Sequence, residues 1–168
     1  MNRINIISFF FLIIFFYTEN GYSQESNITT IYMIRHAEKA SDGTKDPDLT
    51  EIGRKRANLF NKMLSNVDIS AIYSTPYKRT RQTVKPLADS KGLTIIEYDP
   101  RAPKLEEILG NHKGGSIVIV GHSNTIPFMA NHFVAQEQFK QLDDLEYDKL
   151  FIVNTLGIGK SKVEVLSF

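Results

Sequence analysis

The feature that most narrows the fold is an alternation. Short β-branched and apolar runs take turns with longer stretches whose apolar residues recur at helical spacing. Residues 29–34 (TTIYMI) read as a buried strand. After a polar loop with Gly43 and Pro47, Thr50 is placed to cap a helix and Glu51 sits where the helix dipole favours an acid. Ala57, Phe60 and Leu64 carry the apolar stripe of that helix to about residue 65. Residues 70–74 form a second strand. Pro76 suits a first helical position, and Val84, Leu87 and Ala88 give the helix after it an apolar side, with Pro86 expected to kink it or cost a hydrogen bond. Residues 93–98 read as a third strand and 104–111 as a weak helix. Gly114 and Gly115 open a strand over 117–120, and Asn124 is placed to cap the next helix. Residues 150–153 and 162–166, separated by Gly157 and Gly159, close the chain as a pair of strands. This order implies an α/β fold: a three-layer α/β/α sandwich whose central sheet is mainly parallel with an antiparallel edge strand.

Composition removes several classes of function. A formal net charge of +1 and the lack of a basic stripe speak against a nucleic-acid partner. With no cysteine, thiolate nucleophiles, thiolate metal sites and disulfides are excluded. No His-x-His or His-Glu-x-x-His spacing occurs, and the glycines of residues 110–116 do not follow the P-loop pattern, so neither a metal nor a cofactor is expected.

In sheets of this kind, ligands bind at the C-terminal ends of the strands. Three motifs fall there. Arg35-His36-Ala37-Glu38 ends the first strand, Ser74-Thr75-Pro76 with Arg79 ends the second, and Gly121-His122-Ser123 ends the fourth. A first-turn helical side chain leans back toward the helix start, so Arg79 is directed at the strand ends. Two arginines and two histidines can then converge beside the free N–H groups of a helix start. That is an anion site containing groups able to act as nucleophile or acid near neutral pH.

The motifs together resemble those of the histidine phosphatase superfamily, the phosphoglycerate mutase-like proteins, and in particular its small capless branch of phosphohistidine phosphatases. Arg35-His36-Ala37 stands for the family's Arg-His-Gly/Ala, and Leu49-Thr50-Glu51-Ile52-Gly53 for Leu-Thr-x-x-Gly. Ser74, Pro76, Arg79, Gln82 and Thr83 match Ser-Ser-Pro-x-x-Arg-x-x-Gln-Thr, with Thr75 in place of the second Ser, and Gly121-His122-Ser123 closes the set. The resemblance implies a metal-independent phosphoric monoester hydrolase. His36 would attack phosphorus to give a phosphohistidine, Arg35 and Arg79 would bind phosphate oxygens, and His122 would bind and stabilise the transferring group.

The acid that protonates the leaving group is the open point. Larger members place a Glu beyond the third strand, while phytase-like members use a His-Asp pair that Ser123 excludes here. Asp99 has the best position, Glu97 and Glu106 are alternatives, and Asp99 also suits a turn cap before Pro100. Two other readings compete. One is a phospholigand-binding protein without turnover. The other is a serine esterase using Ser123, which lacks the expected closing glycine and has only His132 after it.

The N-terminus suggests an exported protein. Arg3 precedes an uncharged apolar run at residues 6–16, followed by a polar stretch with Gly21 and Ser23 at the exit. This pattern divides the chain into a signal peptide at 1–23 and a single catalytic domain at 24–168, periplasmic or secreted and without a membrane partner after cleavage. The expected partner is a phosphorylated small molecule or phosphoprotein. One short loop between His36 and Thr50 and about one helix between Asp99 and Gly114 imply an open pocket with broad selectivity or a large, surface-docking substrate.

Overall fold

The computed structural model describes residues 27–168. The expected signal peptide, residues 1–23, and its cleavage point lie outside the described residues. Ten elements follow in the order β1 (Thr29–Arg35), α1 (Glu51–Met63), β2 (Ile69–Ser74), α2 (Lys78–Lys91), β3 (Ile95–Glu97), α3 (Leu105–Asn111), β4 (Ser116–Gly121), α4 (Thr125–Val134), β5 (Lys149–Thr155) and β6 (Ser161–Ser167). They build one six-stranded sheet in the order β3-β2-β4-β1-β5-β6. The first four strands of that order are parallel, and β5 pairs antiparallel with both β1 and β6, which gives the mainly parallel sheet the antiparallel edge that the sequence implies.

Strand alternation sorts the core into two layers. Ile31, Met33, Ile117 and Ile119 face one side and pack with Ile108 of α3 and Ile126, Met129 and Phe133 of α4. Ile34, Val118 and Val120 face the other and pack with Phe60 of α1 and Val84 and Leu87 of α2. Both faces of the central strands are covered, which is why β4 reads as an unbroken apolar run rather than an alternating one. Among the described residues no helix is long and apolar enough to cross a membrane.

Local differences from the sequence expectation have identifiable causes. Pro76 precedes α2 rather than opening it, because Tyr77 is extended (φ −93°, ψ 147°) and takes the N-cap position. Pro86 lies inside α2, which runs on to Lys91 and ends at Gly92 in the left-handed conformation. β3 is shorter than the stretch 93–98: it pairs with β2 only from Ile95 to Glu97, and it stops where β2 ends at Ser74. Asn124 occupies the N-cap position of α4 without a side-chain bond. The local donor there is instead taken by Thr125, whose hydroxyl accepts from the His122 N–H at 2.8 Å.

Candidate active site

The sheet register brings the two histidines together. β1 and β4 are neighbours with Arg35 opposite Gly121, so the residues that follow, His36 and His122, leave the sheet side by side. The His36 N–H donates to the Gly121 carbonyl at 2.9 Å, and the two imidazoles stand 5.5 Å apart between centroids at 67°. α2 delivers Arg79 to the same place from the neighbouring strand β2.

The loop that carries His36 is pinned on two sides by the sequence motifs. Thr50 caps α1 by accepting from the Gly53 N–H at 3.0 Å, while the Thr50 N–H donates to the Glu38 carbonyl at 2.8 Å. Gly53 is required by proximity: a Cβ there would lie 2.3 Å from the Glu38 carbonyl oxygen. From the α2 side, Thr83 accepts from the Ala37 N–H at 2.9 Å and donates to the Arg79 carbonyl at 2.7 Å. Gln82 accepts from the Leu49 N–H at 2.8 Å and donates to Asp48 at 2.8 Å. Gly121 also admits no side chain, since a Cβ would lie 2.5 Å from the Thr125 hydroxyl.

His36 is only 3% exposed, and its protonation follows from its contacts. Nδ1 lies 2.8 Å from the Ala37 carbonyl. A carbonyl only accepts, so Nδ1 carries the hydrogen and Nε2 keeps its lone pair. Burial above all, with Arg79, His122 and Arg35 adding to it, pulls the imidazole pKa down to about 3, although the Ala37 bond works the other way. His122 is lowered to about 4 by burial first and then by Arg79 and Arg35. Both rings are therefore neutral at pH 7.

A hydroxyl chain sets the tautomer of His122. The Thr80 hydroxyl lies 2.8 Å from the Tyr77 carbonyl and 3.0 Å from the Thr75 carbonyl, so its hydrogen is committed to a carbonyl. Thr75 then donates to Thr80 at 2.9 Å, and the Thr75 oxygen accepts from His122 Nε2–H at 3.2 Å. The threonine that replaces the second Ser of the motif is thus a working contact.

Each arginine lies against a tyrosine. The Arg35 Cζ is 4.2 Å from the Tyr147 ring centroid, and the Arg79 Cζ is 4.3 Å from that of Tyr77. Arg35 Nη1 donates to the Asp143 and Glu146 carbonyls at 2.7 and 3.0 Å, and Arg79 Nη1 lies 3.6 Å from Asp46. The Nε–H of both arginines is buried with no hydrogen-bond partner. Leaving a buried donor unpaired costs about 1–3 kcal/mol, so two such donors on the two candidate phosphate ligands fit an oxyanion.

Tyr77, Thr80, Asp46 and Tyr147 were not among the residues expected at the site. Tyr77 stands inside the motif, between Pro76 and Arg79, and could have been found there. Tyr147 carries no local signal, because it arrives through the connection from α4 to β5. Its ring centroid lies 6.0 Å from that of His36, and its segment is tied to Arg35. The pocket therefore has a wall that the expected open rim lacked.

The expected acids fare differently from the histidines and arginines. Asp99 is exposed and caps a turn: its carboxylate accepts from the Arg101 N–H at 2.9 Å and from the Arg101 guanidinium at 3.1 and 3.0 Å. The Arg101 side-chain bonds, followed by its N–H, hold the Asp99 pKa below the usual carboxylate range. This geometry favours the turn cap over the proton donor. Glu97 pairs with Arg81 at 2.5 Å. Glu106 pairs with His132 at 3.0 Å and lines a cleft with Thr29, at the opposite end of β1 from His36. His132 lies in the last turn of α4 and Ser123 just before its first, so the helix separates the serine from the base an esterase would need. Among the described residues no group of three His, Asp or Glu side chains converges as metal ligands.

Comparison with known proteins agrees with this geometry. The family model described as the histidine phosphatase superfamily (branch 1) matches residues 31–102. Phosphoserine phosphatase 1 of Hydrogenobacter thermophilus (strain DSM 6534 / IAM 12695 / TK-6) is 39% identical over 75 residues, covering 41% of this chain and 36% of that protein. Probable phosphoglycerate mutase GpmB of Yersinia pestis (strain Pestoides F) is 38% identical over 81 residues, covering 45% and 37%. The chain thus spans little more than a third of the length of these relatives. Among solved structures, the protein histidine phosphatase SixA complexed with tungstate superposes with a TM-score of 0.68 at 16% identity, covering 82% of this chain and 96% of that one. A phosphoglycerate mutase from Bacillus anthracis str. Sterne gives 0.65 at 13% identity, covering 84% and 94%. At these identities the likeness is one of fold.

Proposed function

We propose that this chain, whose residues 31–102 belong to the histidine phosphatase superfamily, is a phosphatase that works through a phosphohistidine on His36. One observation carries the reading. The hydrogen of His36 is fixed on Nδ1 by the Ala37 carbonyl, leaving the Nε2 lone pair free beside two guanidinium groups whose Nε–H donors have no partner.

In the first step Nε2 attacks phosphorus, the N–P bond forms, and the ester P–O bond breaks with its electron pair on the leaving oxygen, which takes its proton from water. Arg35 and Arg79 hold the phosphoryl oxygens, and their positive charge opposes the negative charge spread over those oxygens in the transition state. The Nε2–H of His122 is held by Thr75, so this ring can take a proton only at Nδ1. A phosphoryl dianion arriving nearby favours that protonated form. In the second step water attacks the phosphohistidine, releasing inorganic phosphate and restoring neutral His36. One relative is named for phosphoserine and one structural neighbour for protein histidine, and both kinds of phosphoryl group are candidates for this site.

Rapid quenching during turnover of a phosphomonoester tests the reading. Acid-labile, base-stable phosphate should be recovered on the peptide containing His36 and be absent from His36→Ala. Recovery on Ser123, or a stoichiometric complex without any phosphoenzyme, would overturn it.

Export belongs to the same proposal and is supported by Arg3, the apolar run at 6–16 and the Gly21-x-Ser23 exit. Mass spectrometry of the native protein should find an N-terminus at or near Gln24. Cytoplasmic protein retaining Met1 would refute it.

A further inference from the structure

We infer that the cleft beside Tyr77 is the leaving-group subsite of the phosphatase proposed above, and that it selects phosphomonoesters of aromatic alcohols. The inference rests on that reading of His36. A cleft of about 490 Å³ lies between Pro76 and Tyr77 on one side and residues 97–101 on the other. Tyr77 is the wall it shares with the catalytic cluster. The same ring stands 5.3 Å from the His122 ring and 4.3 Å from the Arg79 Cζ, so a group bonded to a phosphoryl held by Arg79 reaches the cleft across one aromatic ring.

Two independent observations set the chemistry of the occupant. The first is what the lining leaves free. Pro76, Tyr77 and Pro100 present flat apolar surfaces, and Tyr77 is 36% exposed. The charged lining groups are already engaged, Glu97 with Arg81 and Asp99 with Arg101. The hydroxyls of a sugar would have to compete with these ion pairs, whereas an aromatic ring packs on the exposed apolar faces beside them.

The second observation concerns the proton. Both carboxylates lining the cleft are bound to arginines, and Asp99 is held below the usual range by Arg101. Neither can readily protonate an alkoxide. A phenol ionises near about 10, like tyrosine, and so departs as phenolate without an acid. In that step the Nε2–P bond of His36 forms, the P–O bond to the ring breaks with its electron pair on the phenolate oxygen, and water later supplies the proton. A second water hydrolyses the phosphohistidine.

The test separates ring recognition from leaving-group acidity. It compares kcat/KM of the full chain for 2-phenylethyl phosphate and n-butyl phosphate, both alkoxide leaving groups, with phenyl phosphate as a third substrate. Phenyl phosphate should be fastest. The phenylethyl ester should exceed the butyl ester by about tenfold, of the size expected for ring-on-ring contact plus the apolar area it buries. Tyr77→Leu should bring that ratio to about twofold or less through loss of the ring contact. Pro100→Ala, which removes an apolar face on the opposite side of the cleft, should lower the ratio as well. A ratio near one in the wild type, or one unchanged in both variants, overturns the subsite and leaves the phosphatase reading standing. No turnover of any of the three esters overturns the phosphatase reading and the subsite with it.

Discussion

Burial of His36 beside two arginines should be measurable without any substrate, as a dependence of folding stability on pH. The imidazole pKa falls from an ordinary 6.5 to about 3 in the folded protein, with burial as the main cause. Between those values the unfolded chain binds more protons than the folded one. The stabilisation linked to a neutral His36 is therefore fully present above pH 6.5, falls away as pH drops below it, and is exhausted near pH 3. At pH 5 the folded ring is still neutral while most unfolded copies are charged, so the loss depends on the unfolded value alone. It amounts to about 2 kcal/mol relative to pH 7. His36→Gln keeps a similar volume and removes the titration. Urea unfolding followed by circular dichroism, which suits a chain without tryptophan, gives the stability of each protein at pH 7 and pH 5. The wild type should lose about 2 kcal/mol more than the variant on moving to pH 5, because contributions of His122 and His112 largely cancel in the difference. Equal losses would mean that His36 titrates normally in the folded state, and the case for a neutral, buried nucleophile would fail.

Arg79→Ala should reduce kcat by about 10²–10³, the usual loss for a preorganised donor to the transferring group, whereas Arg81→Ala should change little because Arg81 is half-exposed and tied to Glu97. Steady-state kinetics on an aryl phosphate would show it, and the reverse ranking would reassign the phosphate ligand to Arg81. Gly53→Ala gains helix propensity of about 1 kcal/mol but forces a Cβ to 2.3 Å from the Glu38 carbonyl oxygen, and displacing backbone outweighs the gain. A lower urea midpoint together with reduced turnover is expected, and a variant as stable and active as wild type would show that the loop carrying His36 is not held by that approach.

Residue pattern was enough to place the elements and to single out the four residues that the fold gathers into the candidate site. Periodicity located every helix and strand among the described residues, because burial on both faces of β1 and β4 forces apolar runs and one-sided packing of α1 and α2 forces a helical stripe. Arg35, His36, Arg79 and His122 were legible because each lies at or just beyond the end of a parallel strand, a position the chain order alone fixes. The motif positions Gly53, Gln82 and Thr83 were legible as a pattern, but their reason was not. Only the folded structure shows Gly53 against Glu38, Gln82 on Leu49 and Thr83 on Ala37, pinning the loop of His36 from two helices.

Tertiary structure alone decided the rest. Tyr147 and the Asp143 and Glu146 carbonyls reach Arg35 across more than a hundred residues of sequence, and no local spacing announces such a contact. The tautomer of His122 depends on hydrogen bonds that pass through Thr75 and Thr80 on a different strand–helix unit. Asp99 shows the same limit from the other direction. Its place after β3 made it the best acid by position, yet the neighbouring Arg101 turns back and binds its carboxylate. Residue type and strand order fix where a group can stand. Its protonation and its partners depend on which distant side chains fold against it, and that is settled only when the chain packs.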